Sequence, residues 1–157
     1  MTFPFDAFSE LVQALSERVG HPRPAGAASS GFELETDEHV LRCLPHPADP
    51  TRYLLESDVC TIRPSGQQDP ALLLMLHQLN EAAALSTGWT LLIDTELQVR
   101  IQRSLALEGA TALQLEGDLA EALERAQGLQ RLIERYQQDR PGSDRPALDP
   151  SLLMQRA

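Results

Sequence analysis

The run Ala71-Leu72-Leu73-Leu74-Met75-Leu76, opened by Asp69-Pro70 and continued by His77-Gln78-Leu79-Asn80, constrains this chain more than any other stretch. Asp69 caps and Pro70 fits a first helical position, so a helix is expected from there to about Leu85. A helix serving one core shows one apolar stripe. Consecutive leucines point around more of the circumference than one core can cover. In water the second side must be hidden against a partner, so the helix predicts an obligate oligomer and a protein that binds. A hairpin pattern follows over about 88–105, with Gly88-Trp89-Thr90-Leu91-Leu92-Ile93, the polar turn Asp94-Thr95-Glu96, and Leu97-Gln98-Val99-Arg100-Ile101. Trp89, Leu91 and Ile93 point one way and Leu92 the other, the pattern of a strand covered on both faces.

The flanking chain reads in the same terms. A first helix is expected from Asp6 to Val19, with Phe5, Phe8, Val12, Leu15 and Val19 at helical spacing and Gly20 as its stop. That stripe is a core face, or else its edge at Phe5 and Phe8 borders a ligand groove. Residues 20–30 are a loop by composition. Three strands follow at 31–35, 39–44 and 52–56, the last extending towards Ile62, with a tight turn at Thr36-Asp37-Glu38. Pro45, Pro47 and Pro50 break the chain between the second and third strands, giving an antiparallel meander. A long amphipathic helix is expected from Leu115 to Gln138, its charges running from acidic to basic in line with its dipole. The tail from Asp139 is expected to be flexible, beyond a single domain over 1–138.

Charge and cysteine content exclude several classes. The chain has 157 residues, enough for one well-buried core. Its formal charge of −10, with 13 basic against 23 acidic residues, argues against nucleic acid and anionic membranes. Cys43 and Cys60 are too few for a disulfide framework. Met1-Thr2-Phe3-Pro4-Phe5-Asp6 lacks both a basic region and an apolar stretch, and no apolar run approaches the roughly 20 residues of a membrane span. The cytoplasm is the expected compartment.

No constellation for chemistry stands out. There is no glycine-rich phosphate loop, nucleophile elbow or paired metal motif. Cys43, His46 and Cys60 are the best metal candidates. A hairpin across 46–51 would put Cys60 opposite Asp37 or Glu38, several pairs from Cys43, so strand packing is the better account of both thiols. His77 has no nucleophile near it in sequence, and Asp94 with Glu96 is ordinary turn chemistry. No catalytic residue, metal or cofactor is expected.

The order helix, three strands, helix, two strands, helix resembles the class I chaperones of bacterial type III secretion, the Tir-chaperone-like family. The leucine-rich helix ending in Leu79-Asn80, the following Trp89 hairpin and the long last helix carry the resemblance over about residues 5–138. It implies an α+β fold, a twisted antiparallel sheet packed against helices, and a homodimer. It implies an interface at Leu72, Leu73, Leu76, Leu79, Leu91 and Ile93. The implied activity is to hold the N-terminal segment of a secreted effector in extended form, without ATP, on a surface including Phe5, Phe8, Leu34, Leu41, Leu44 and Leu55. The secretion ATPase or a regulator of the system are further partners of such a protein. A regulator of the same fold, sequestering a transcription factor or anti-activator, is the alternative.

Overall fold

The computed structural model describes residues 4–20, 31–63 and 70–138. The Asp69 cap, the loop expected over 20–30 beyond Gly20 and the flexible tail expected from Asp139 lie outside the described residues.

Three helices and five strands follow one another: α1 (Pro4–Arg18), β1 (Phe32–Glu35), β2 (Val40–Pro45), β3 (Arg52–Thr61), α2 (Pro70–Thr87), β4 (Trp89–Ile93), β5 (Gln98–Ala106) and α3 (Ala112–Gln138). The expected order holds throughout. The strands form one antiparallel sheet in the order β1-β2-β3-β5-β4. Consecutive hairpins place β1 beside β2 and β2 beside β3. The α2 crossover then delivers β4 to the far edge, outside β5.

Register separates the two faces of the sheet. One rung runs Phe32, Cys43, Leu55, Arg103, Trp89, and another runs Leu34, Leu41, Ser57, Ile101, Leu91. These point to the helices. The rung between them, Glu33, Arg42, Glu56, Gln102, Thr90, points to the opposite face. The period of two set by the pleat makes this division. On the inner face α3 crosses β3, and α1 packs on α3. Phe8, Leu11, Val12 and Leu15 of α1, and Leu115, Leu119, Ala122, Ala126 and Ile133 of α3, close the core. Burying each large side chain contributes about 1.5–3 kcal/mol.

Element ends follow local chemistry. α1 stops at Gly20 and α2 at Gly88, both left-handed, with φ of 72° and 73°. α3 begins one turn earlier than periodicity suggests. Thr111 Oγ1 accepts from the Gln114 amide at 3.2 Å, and Gln114 Oε1 accepts from the Thr111 amide at 3.1 Å. This is a capping box, visible as Thr-x-x-Gln but masked by the alanines around it. The β4–β5 turn is tied by Asp94 Oδ1, which accepts from the amides of Glu96 and Gln98 at 2.9 and 3.0 Å. It leaves Leu97 at φ 63°, a strained setting that its packing against the core offsets.

Gly31 has no room for a side chain. Its φ is 98°, and a Cβ there would lie 2.5 Å from the Cys43 carbonyl oxygen. Gly31→Ala should therefore destabilise the domain by at least about 1–3 kcal/mol, measured as a lower urea midpoint at unchanged m-value. An unchanged midpoint would contradict the close approach of this segment to β2.

Candidate interaction surfaces

α2 is divided lengthwise. Leu72 and Leu76 are enclosed by their own chain, at 0% and 1% exposure. Met75 and Ala83 pack against the same core. Around the helix Leu73, Leu74 and Leu85 face outward, and Leu74 is 56% exposed. Leu92 and Ile93 of the neighbouring β4 are exposed as well. The surplus apolar surface inferred from the sequence thus exists, but only partly on the residues assigned to it. Leu72 and Leu76, assigned to an interface through the family resemblance, are core residues, because they lie one turn apart on the stripe facing β4. Leu73 and Ile93 are at the surface, and Leu79 and Leu91 are half-buried.

A polar clamp sets this division. Asn80 Oδ1 accepts a hydrogen bond from the Leu91 amide at 2.7 Å. Leu91 is on an edge strand, so this amide faces away from β5. The clamp fixes the rotation of α2 about its axis and therefore which leucines point out. His77 stands on the outer side, exposed, 3.5 Å from Glu81.

Trp89 anchors the other side of β4. Its Nε1 donates to Glu121 Oε1 at 3.2 Å, and the Arg103 guanidinium lies 5.8 Å from the ring centroid. Arg125 Nε donates to the same Glu121 oxygen at 2.7 Å. Burial pushes the Glu121 carboxyl upward, but the bonds from Arg125 and Trp89 and the two arginine charges outweigh it, so its pKa falls below the ordinary glutamate value. This ties α3 to the β4–β5 hairpin.

The residues assigned to a groove fall into different settings. Phe8, Leu41 and Leu55 are core residues at 3%, 2% and 0% exposure. Periodicity identified their apolar faces, but those faces meet each other. Leu34 and Leu44 are half-buried and lie on opposite faces of the sheet. The Phe5 side chain lies outside the described residues. What remains on this side is the edge strand β1, whose strand neighbour is β2.

The thiols are packed rather than activated. Cys43 pairs with Leu55 and Cys60 with Val99, several rungs apart. Burial pushes the Cys43 thiol up to about 12; burial first, and then Glu134, pushes Cys60 up to about 11. Among the described residues no three His, Cys, Asp or Glu side chains converge as metal ligands. No helix among them is long and apolar enough to cross a membrane.

Solved structures share this architecture. The ExsC–ExsE complex matches with a TM-score of 0.64 and 23% identity, over 80% of this chain and 92% of that chain. The HopA1–SchA chaperone–effector complex matches with a TM-score of 0.64 and 17% identity, over 81% and 95%. The Yersinia pestis type III secretion chaperone SycH, solved with a stable fragment of YscM2, matches with a TM-score of 0.56 and 15% identity, over 76% and 96%. This chain has the type III secretion chaperone fold. No protein-family model and no curated protein matches it.

Asn80→Ala should leave the Leu91 amide without its acceptor. We expect a loss of about 1–3 kcal/mol in urea unfolding and faster hydrogen exchange at Leu91. Unchanged exchange at that amide would show that the clamp does not hold β4.

Proposed function

We propose that this chain is a cytoplasmic chaperone that holds the N-terminal segment of a secreted effector in extended form and keeps it competent for type III secretion. The observation that carries this is its fold, shared over at least three quarters of its length with a chaperone–effector complex and with a type III secretion chaperone. The geometry supports it. An extended peptide can add a strand at a sheet edge, gaining main-chain hydrogen bonds and seating alternate side chains. β1 offers such an edge, with Leu34 and Leu44 half-exposed nearby, and Phe5 belongs to the first turn of α1. The work is done by binding energy, without catalysis or cofactor.

The same proposal includes a homodimer. Leu73, Leu74 and Leu85 of α2, together with Leu92 and Ile93 exposed on the two faces of the edge strand β4, supply the apolar surface for it, with Leu79 and Leu91 half-buried beside them. A stable dimer buries about 800 Å2 per partner, which one helix face and a strand can supply.

Light scattering should give twice the 17.3 kDa of one chain. Leu74→Glu should halve that mass and leave the circular dichroism unchanged, because Leu74 is outside the core. A wild-type mass of one chain would remove the dimer from the proposal.

The effector reading is tested by deleting the gene in a strain with an active secretion system. One effector should disappear from the medium. The same effector, co-purified with the chain and trimmed by protease, should retain its N-terminal segment. Normal secretion of every effector, with a regulatory protein as the co-purified partner, would replace the reading with sequestration of a regulator.

A further inference from the structure

A cleft of about 590 Å3 opens at the end of the sheet where β1 turns into β2. The turn forms one wall, the end of β3 another, and Glu134 of α3 a third. Glu35, Asp37, Glu38, Asp58 and Glu134 all line it. Asp58 is already neutralised by Arg42 at 2.9 Å and by Arg100 at 3.2 Å, the second a charge contact too poorly aligned to be a hydrogen bond. Among the described residues the other four carboxylates have no cationic side chain within ion-pair distance. A cleft lined by charges of one sign concentrates the opposite charge.

Acidic residues at a turn are ordinary, and they do not identify a ligand. His39 does more. It lines the same cleft, yet it is only 2% exposed. Its Nδ1 lies 2.9 Å from the Asp58 carbonyl oxygen. A carbonyl only accepts, so Nδ1 donates to it, and a ring that holds only this proton has its lone pair at Nε2. That atom is buried and has no partner among the described residues. Buried acceptors are normally satisfied, and this one requires an N–H or O–H donor. The carboxylates lining the same cleft favour a donor with positive charge. A guanidinium meets both conditions, because its planar fork can donate to a ring nitrogen and a carboxylate together.

We propose that this cleft receives a basic side chain, arginine in preference to lysine, carried by the polypeptide the protein holds. The inference rests on the chaperone reading for its partner and adds a specificity to it. The cargo segment carries a cation placed to reach the β1–β2 turn, in addition to apolar residues.

The test uses the full-length protein, labelled with 15N, and two small probes. N-acetyl-arginine amide is titrated first. N-acetyl-citrulline amide follows, similar in shape but uncharged. The arginine probe should shift the amides of Thr36, His39 and Thr61 and move the His39 Nε2 resonance, while the citrulline probe leaves them in place. The variant Glu38→Gln with Glu134→Gln changes two exposed carboxylates and should weaken the arginine probe about fivefold at low salt. Equal responses to both probes would overturn the proposal. So would shifts that are indifferent to the double variant, or a His39 ring that does not respond. The probes need no effector, so the two readings fail separately. If arginine binds at His39 and no effector depends on the chain, the cleft stands and the chaperone reading falls. If an effector depends on the chain and His39 stays unmoved, the cleft proposal alone is lost.

Discussion

The packing of α2 against β4 is the constraint on which the rest of the molecule depends. A helix with leucines around most of its circumference can turn only one side towards a single core. Here Leu72 and Leu76 take that side, and the Asn80–Leu91 hydrogen bond locks the choice. Because the bond is made to an edge amide, it also satisfies part of the sheet edge that would otherwise template unwanted strand pairing. The cost of this arrangement is an exposed strip at Leu74 and Leu85. The surrounding negative charge, −10 for the chain, helps keep such a surface from indiscriminate association.

The second half of the structure is held by polar contacts that depend on burial. Glu121 joins Trp89, Arg103 and Arg125, so one carboxylate sets the position of α3 over the β4–β5 hairpin. On the opposite face of the sheet, Arg42, Asp58, Arg100 and Asp94 form a chain of alternating charge across β2, β3 and β5. Single exposed pairs of this kind contribute little, but a partly buried network fixes register across three strands. The exposed side of α2 and the acidic cleft both lie at the margins of this framework. The divided helix flanks the β4 edge, and the acidic cleft sits at the end where β1 turns into β2.

Much of the fold was legible in the chain. Helix stop glycines at 20 and 88, the Pro70 start, the proline break before Arg52 and the alternating strands all act through local geometry, which neighbours in sequence determine. Residue roles were less legible. Phe8, Leu41 and Leu55 have the same apolar periodicity whether they face a groove or a core, and they face the core. Leu72 and Leu74 are equally apolar and two positions apart, yet one is enclosed and the other exposed. Asn80 and His39 gave no sequence signal of their roles, since each acts through a backbone atom of another element, eleven and nineteen residues away.

What the sequence determined by itself is the kind and order of the elements and the existence of more apolar helix surface than one core can hold. Composition and spacing suffice for that, because propensity, capping and periodicity are local. Which leucines are left over, where the open strand edges fall, and which charges remain unpaired were decided only in three dimensions. Those outcomes depend on the rotation of α2 about its axis and on β4 crossing to the far side of β5. Such contacts join residues remote in sequence, so no local pattern records them.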